Sequence, residues 1–214
     1  SGLARSVVFV AVGSTVQGVL GVADPVRSSS AEAVERIRAL GLEPILLTGD
    51  GEDTARSVAD QVSIERVVAG VLPEGKVAEV RRLQEEGRTV AMVGDGINDA
   101  PALALADVGI AMGGGTEIAT EAGDIILMRE DLHGVADAVT LSRRTLRTMR
   151  ENLFWAFIYN VVGIPIAAGA LYPTFGLLLS PILASAAMAF SSVSVVTNSL
   201  RLRGVTLGPR RRTA

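Results

Sequence analysis

Hydrophobic positions change their period along the 214 residues. The first apolar stretch, residues 7–22, reads as two β-rich runs, VVFVAV and VQGVLGV, around Gly13, Ser14 and Thr15. That pattern predicts a hairpin. Arg5 ahead of it imitates a secretory leader, but the polar break and the following Gln17 and Gly18 interrupt any such segment. From Asp24 helical stripes alternate with short apolar runs. Ser29 and Glu32 have capping-box spacing before Val34, Ile37 and Leu40, and Gly41 closes that helix. A strand is expected over Pro44–Leu47, a helix over Asp53–Val62, a weak strand at Val67–Val68, and a helix over Glu74–Glu86 closed by Gly87. Further strands are expected at Thr89–Val93, Val108–Ala111 and Ile125–Met128, with a short helix after Asn98 and a turn and helix following Gly113–Gly115. Alternating strands and helices on short loops imply an α/β Rossmann-like domain with a parallel sheet covered on both faces. Its site belongs at the carboxyl ends of the strands. The polar turns Thr48-Gly49-Asp50 and Gly94-Asp95-Gly96 sit there.

The pattern changes again after Asp131. A long helix is expected to pass Arg143, Arg144, Arg147 and Arg150 and enter a stretch without charge, Asn152 to Leu200, 49 residues long. One span takes about 20 residues, so two are predicted, Leu153–Leu171 and Phe175–Leu200, broken at Tyr172-Pro173-Thr174. Arginines at both outer ends orient those ends to the cytosol. A buried helical hairpin of a soluble protein would not need to exclude charge from every face. The expected outcome is a transmembrane helical hairpin.

Composition agrees: 49% hydrophobic residues with only 4% aromatic. There is no cysteine, which excludes disulfides and thiolate metal sites within these residues. A net charge of −3 gives no general attraction to nucleic acid. The start at Ser1 is expected to fall inside a longer protein. His133, the lone histidine, is expected on the surface near a helix start, and Trp155 and Tyr172 as interfacial anchors.

Asp95 and Asp99 lie four residues apart across a strand end and the start of a helix. Both carboxylates can approach one hard cation, and Mg²⁺ takes one or two carboxylates besides waters and phosphate oxygens. A bare GDG would be an ordinary turn with an N-cap aspartate. The whole string MVGDGINDAPALALADVGIAMG, residues 92–113, is more specific.

That string closely resembles the hinge-and-magnesium motif of P-type ATPases, members of the haloacid-dehalogenase superfamily. Leu47-Thr48-Gly49-Asp50 resembles the family's TGD motif, and Leu72-Pro73-Glu74-Gly75-Lys76 the segment of the superfamily lysine. Asp24-Pro25-Val26-Arg27 resembles the hinge leaving the nucleotide-binding domain. Gly51 departs from the asparagine common after TGD. The resemblance implies a catalytic set of Thr48, Gly49, Asp50, Lys76 and Asn98. Thr48 would hydrogen-bond the transferred phosphoryl group, Gly49 would allow close backbone approach, Lys76 would neutralise phosphoryl oxygens, and Asn98 would orient them. Asp95 would ligate Mg²⁺ with support from Asp99, and ATP would be the substrate. The acceptor aspartate of a DKTG-type motif does not occur in the sequence. The implied domains are residues 1–24, the end of a nucleotide-binding domain; 25–140, the C-terminal portion of the phosphorylation domain; 141–204, two membrane helices; and 205–214, a basic tail.

Tyr159 and Asn160 lie in the first expected span; Met188, Ser191 and Ser192 in the second at i, i+3, i+4. A thioether suits Cu(I). Met as gap filler and Ser as a packing residue explain the same positions. The YN and MxxSS patterns resemble the monovalent-copper subgroup. Zinc-type members, the Zn/Cd alternative, would be expected to place Lys and Asp in these helices; neither is present. The resemblance thus implies part of an ATP-driven exporter of Cu(I) or a similar soft ion. It would be integral to the plasma (inner) membrane, with a cytosolic phosphorylation domain. Its partners would be membrane lipid, the transported ion, the N-terminal remainder of the pump and a copper chaperone. Two rivals are a membrane-anchored phosphatase of the superfamily, which would also need a nucleophilic aspartate, and a non-catalytic Mg²⁺-binding module.

Overall fold

Short apolar runs and turn residues produce the strands where the alternation places them. The structure is a computed structural model and describes residues 6–22, 25–95, 97–113, 121–176 and 180–208. Asp24 of the hinge motif, Gly96 of the second polar turn, Gly114 and Gly115, most of the helix expected before Ile125, and Arg210–Arg212 lie outside the described residues. The chain divides into two units, residues 1–136 and 137–214.

In the first unit, β1 (Ser6–Val12) and β2 (Thr15–Val22) form the expected hairpin. Gly13 turns the chain at φ 63, a conformation that costs glycine little. Val10 pairs with Gly18 but Ala11 with Val16, so Gln17 is the extra residue of a bulge. Helix α1 (Ser30–Ala39) buries Ala33 and Val34. The capping box is corrected: Ser29 has helical φ and ψ of −81 and −13, and its side chain caps nothing. A side-chain cap goes with extended backbone at the cap residue, which Ser29 does not have. Ser30 N instead donates to Arg27 O at 2.9 Å.

The α/β pattern follows as β3 (Ile45–Leu47), α2 (Glu52–Gln61), β4 (Arg66–Val68), α3 (Pro73–Glu85), β5 (Ala91–Gly94), α4 (Ala100–Leu105), β6 (Val108–Ala111) and β7 (Ile125–Ile126). Pro73 opens α3 at a position where its missing amide is not needed. A 3-10 turn, Ile97–Asp99, joins β5 to α4. The strands are parallel, as expected, but among the described residues they form two sheets, β3-β4 and β5-β6-β7. An apolar core links them: Val80, Met92, Ala102 and Leu103 are buried together, with Leu47 and Val77 packed against them. Two aspartates fix the edges, since Val90 N donates to Asp107 Oδ2 at 2.7 Å and Gly109 N to Asp124 Oδ2 at 2.8 Å.

Helix α5 (His133–Ala167) begins in register with the expected long helix, and the Asp131 carboxylate accepts from its first amide at 3.0 Å. His133 is not a surface residue. Its side chain is 19% exposed, with Nδ1 3.1 Å from Arg36 Nη1 and Nε2 3.9 Å from Glu32.

In the second unit the expected spans change length. α5 ends at Ala167, where the backbone turns through Gly169 at φ 87. Its charge-free part from Asn152 measures ~24 Å at 1.5 Å per residue, less than the ~30 Å of a bilayer core. Tyr172–Phe175 is a single helical turn, α6, rather than a plain break, and Gly176 caps it at φ 64. Helix α7 (Pro181–Leu200) starts later than expected and carries Ser191, Ser192, Ser194, Thr197, Asn198 and Ser199 in its last half. Among the described residues no helix is long and apolar enough to cross a membrane. α5 and α7 are joined where the charge-free stretch meets its flanks. Asn152 Nδ2 donates to Ser199 Oγ at 3.0 Å, and Asn198 Nδ2 to Asn152 Oδ1 at 2.9 Å.

Two outcomes are expected. Leu103, 1% exposed, should cost about 2–5 kcal/mol when changed to alanine, read by denaturant unfolding. A loss below about 1 kcal/mol would mean that it does not hold the two sheets together. Arg82, hydrogen-bonded to Glu79, holds the Glu79 carboxyl below the usual carboxylate range despite the upward push of burial, and Arg66 adds to this. A depressed carboxyl stabilises the fold above its unfolded value near ~4.3, and that contribution is lost as pH falls through the lower folded value. The difference in melting temperature between wild type and Glu79→Gln should therefore narrow from about pH 6 to about pH 3. A constant difference would contradict the pairing.

Candidate functional site

Parallel strands present their carboxyl ends on one side, and the loops leaving β3 and β5 carry the polar residues there. The first loop is strapped to the loop after β4. Thr48 N donates to Val68 O at 3.0 Å, Val71 N to Thr48 O at 3.1 Å and Gly70 N to Asp50 O at 2.8 Å. These bonds hold Thr48 half-buried and Gly49 and Asp50 exposed. The hydroxyl of Thr48 is polarised from both directions: it donates to Asp50 Oδ2 at 2.9 Å and accepts from Asp50 N at 3.1 Å. A Cβ on Gly49 would stand 3.4 Å from Val71 O, an ordinary contact, so this glycine is not demanded by crowding.

The second loop leaves β5 at Gly94. Asp95 is exposed and Asn98 is exposed, while Asp99 is turned inward at the start of α4. Lys76, in the first turn of α3, reaches it: Nζ lies 2.6 Å from Asp99 Oδ1, with side-chain exposures of 16% and 12%. A charged hydrogen bond so shielded from water is among the strong ones. Gly94 is demanded by this arrangement. A Cβ there would come within 2.7 Å of both Cβ and Oδ2 of Asp99, so the carboxylate occupies the space a side chain would take. Sequence spacing predicts Asp99 beside Asp95; the contact with Lys76, 23 residues away, has no local sequence signal.

The donors present are hard oxygens, the type Mg²⁺ prefers: the exposed carboxylate of Asp95 and the inner one of Asp99. Among the described residues no group of three or more His, Cys, Asp or Glu gathers in metal-binding geometry. Two carboxylates suit an ion that keeps most of its coordination for water and phosphate.

The residues expected to read a transported ion stay within their own helices. Asn160 Nδ2 donates to Ala156 O at 2.9 Å, and Ser192 Oγ to Met188 O at 3.3 Å. Tyr159 is half exposed, Ser191 is half-buried and accepts at its carbonyl from Ser194 Oγ at 2.8 Å, and the Met188 side chain is 73% exposed. The structure thus places Met188, Ser191 and Ser192 on successive turns of α7 and Tyr159-Asn160 on α5 without a polar contact that gathers all five.

A family profile described as haloacid dehalogenase-like hydrolase matches residues 2–107, and a second of the same description matches residues 76–139. The chain is 56% identical over 199 residues to "Probable copper-transporting ATPase PacS" of Synechocystis sp., covering 93% of this chain and 27% of that protein. It is 53% identical over 196 residues to "Copper-exporting P-type ATPase" of Vibrio cholerae, covering 92% of this chain and 21% of that protein. The chain therefore spans about a quarter of the length of the curated relatives it matches. Among solved structures, a zinc-transporting PIB-type ATPase in its E2.Pi state superposes with a TM-score of 0.77 at 35% identity, over 92% of this chain and 31% of that one.

Removing Lys76 should strand a shielded carboxylate. Lys76→Met is expected to cost about 3 kcal/mol, and adding Asp99→Asn to recover more than half of it, since the remaining amide has no charge to balance. Chemical unfolding of both variants and of Asp99→Asn alone closes the cycle. Strict additivity would show that the two side chains do not act as a pair.

Proposed function

We propose that this chain, which belongs to the heavy-metal P-type ATPases, carries the C-terminal portion of their haloacid dehalogenase-like phosphorylation domain and serves as the phosphate-handling and terminal membrane part of an ATP-driven pump exporting Cu(I) or a similar soft ion. The observation that carries this reading is the convergence of Lys76 on Asp99 behind the exposed carboxylate of Asp95, at the carboxyl end of a parallel strand. The identities to copper-pumping relatives support the choice of ion.

Phosphoryl transfer asks a protein mainly for positioning and charge stabilisation. The acceptor carboxylate comes from outside these residues, since no DKTG string is present. Asp95 would hold Mg²⁺ with Asp99 behind it, and the ion supplies positive charge against the phosphoryl oxygens. Lys76, kept in place by Asp99, presents further positive charge. Thr48 donates a hydrogen bond to the Asp50 carboxylate; on binding, the same hydroxyl would turn to a phosphoryl oxygen while Asp50 N continues to fix its position. Gly49 leaves the backbone open beside it, and Asn98 offers an exposed amide on the opposite loop.

For the second unit, the proposal is contact with the apolar phase of a bilayer. Charge is absent from Asn152 to Leu200, while Phe154, Trp155, Phe157, Val161 and Ile164 are exposed. The hydroxyls of α7 support this reading because Ser192, Ser194 and Thr197 all donate to carbonyls of their own helix, which satisfies them without water. Residues 1–24 are read as the end of a nucleotide-binding domain, residues 25–140 as the C-terminal portion of the phosphorylation domain, and the bilayer as the plasma (inner) membrane with this domain on its cytosolic side. A copper chaperone is the expected donor of the ion. A zinc pump is the second reading, favoured by the structural match. Against it, a divalent ion would find no charged ligand in the stretch from Asn152 to Leu200, whereas Met188 offers a soft one.

In a full-length pump containing these residues, Asp95→Ala should lower ATPase turnover by about 10²–10³-fold while melting stays near wild type. Cu(I) and Ag(I) should stimulate turnover, and Met188→Leu, which keeps volume and apolarity, should weaken that stimulation. Stimulation by Zn(II) but not Cu(I) would overturn the ion; normal turnover in a folded Asp95→Ala protein would overturn the Mg²⁺ assignment.

A further inference from the structure

Charge in the second unit is concentrated where its two helices are joined. Residues 141–151 and 200–208 contain six arginines, Arg143, Arg144, Arg147, Arg150, Arg201 and Arg203, against one acid, Glu151. That acid is already engaged. Arg147 Nε donates to its Oε1 at 3.0 Å and Asn198 Nδ2 approaches its Oε2 at 3.4 Å. The Arg147 bond, then the Asn198 bond, hold the Glu151 carboxyl below the usual range, and the nearby charge of Arg201 adds to this. Arg201 and Arg203 follow directly on the last residue of α7, Leu200. The clasp of Asn152 with Asn198 and Ser199, 46 and 47 residues away, fixes this meeting of α5 and α7, so that arginines from both segments share one end of the unit. With Asp137, whose carboxylate accepts from Gly208 N at 3.2 Å, two acids stand against the six arginines, and the cluster keeps a surplus of positive charge. Arg150, Arg201 and Arg203 are exposed. Within two turns along α5 come Leu153, Phe154, Trp155 and Phe157, all exposed, with Phe154 and Trp155 in edge-to-face contact at 5.6 Å.

Cations followed at once by exposed aromatic and aliphatic residues match the layering of a bilayer surface, phosphate outside and acyl chain inside. We infer that the clasped arginine cluster of α5 and α7, centred on Arg150, Arg201 and Arg203, is a binding site for the headgroup phosphate of an anionic phospholipid. The inference rests on the membrane reading of the second unit and deepens it by naming the lipid class and the residues that select it. Charge complementarity decides the occupant: a zwitterionic headgroup brings its own cation next to the phosphate and gains little from surplus guanidinium. An anionic one carries no such cation, and a planar guanidinium can bind two phosphate oxygens at once.

The test uses the full chain, released from detergent into vesicles of phosphatidylcholine alone or of equal parts phosphatidylcholine and phosphatidylglycerol, with partition read by flotation. Wild type should favour the phosphatidylglycerol vesicles. Arg150→Gln/Arg201→Gln/Arg203→Gln should lose more than about tenfold of that preference, since each surface arginine contributes roughly a fivefold factor. A variant with the same charge change among exposed arginines elsewhere, Arg56→Gln/Arg81→Gln/Arg129→Gln, should keep it. Asn198→Leu leaves net charge unchanged but opens the clasp, and should lower the preference several-fold. Equal loss in the two triple variants, or no change in Asn198→Leu, overturns the site. Displacement by inorganic phosphate at unchanged ionic strength assigns the cluster to a free anion and overturns it as well. Equal partition of wild type into both vesicles overturns the headgroup assignment alone, whereas failure to enter either overturns the membrane reading beneath it.

Discussion

Lys76 and Asp99 stand 2.6 Å apart, largely out of water, and each makes the other tolerable there. A shielded carboxylate without a cation, or the reverse, costs several kcal/mol. The pair therefore fixes the first turn of α3 against the first turn of α4. With Asp99 held inward, the turn before it has to carry Asp95 outward, and Gly94 has to be bare for the chain to pass. Core packing completes the arrangement: Leu47 and Val77 rest on the cluster around Leu103, which brings the loop after β3 into the same neighbourhood. Site geometry thus descends from one ion pair and one apolar cluster rather than from the loops themselves.

How much of this was legible depends on whether the cause was local. The Gly13 turn, the loop after Leu47 and the turn after Val93 were readable because turn chemistry is written in the few residues that make the turn. The hairpin and the β/α alternation followed for the same reason. Ser29 and Glu32 had the spacing of a capping box, but the cap depends on the φ and ψ of Ser29, which composition does not encode. His133 looked like a surface residue because nothing beside it in sequence announces Glu32 and Arg36, about 100 residues earlier. The contact of Lys76 with Asp99 was hidden likewise: both residues belonged to recognised motifs, yet their direct pairing is a tertiary fact.

Absence of charge from Asn152 to Leu200 was a poor guide to helix limits. Exclusion of charge says which surroundings a segment tolerates, whereas helix ends are set by backbone choices such as Gly169 and Gly176, both at positive φ. The serines of α7 illustrate the difference between a polar residue and a polar demand. Back-bonded to the previous turn, the hydroxyls of Ser192 and Ser194 ask nothing further of their surroundings. The Met188 thioether makes no such demand either, and its residue is 73% exposed.

The space at Gly94 has a consequence for how sequences of this kind can drift. Any replacement adds a Cβ into the Asp99 carboxylate, and any single-base change in a glycine codon that alters the residue adds at least that atom. The Asp99 Cβ itself would stand 2.7 Å from that atom, so relief requires loss of the whole side chain at position 99, which would orphan the Lys76 ammonium. Positions 76, 94 and 99 are consequently tied through one set of contacts, although they come from two separate stretches of chain.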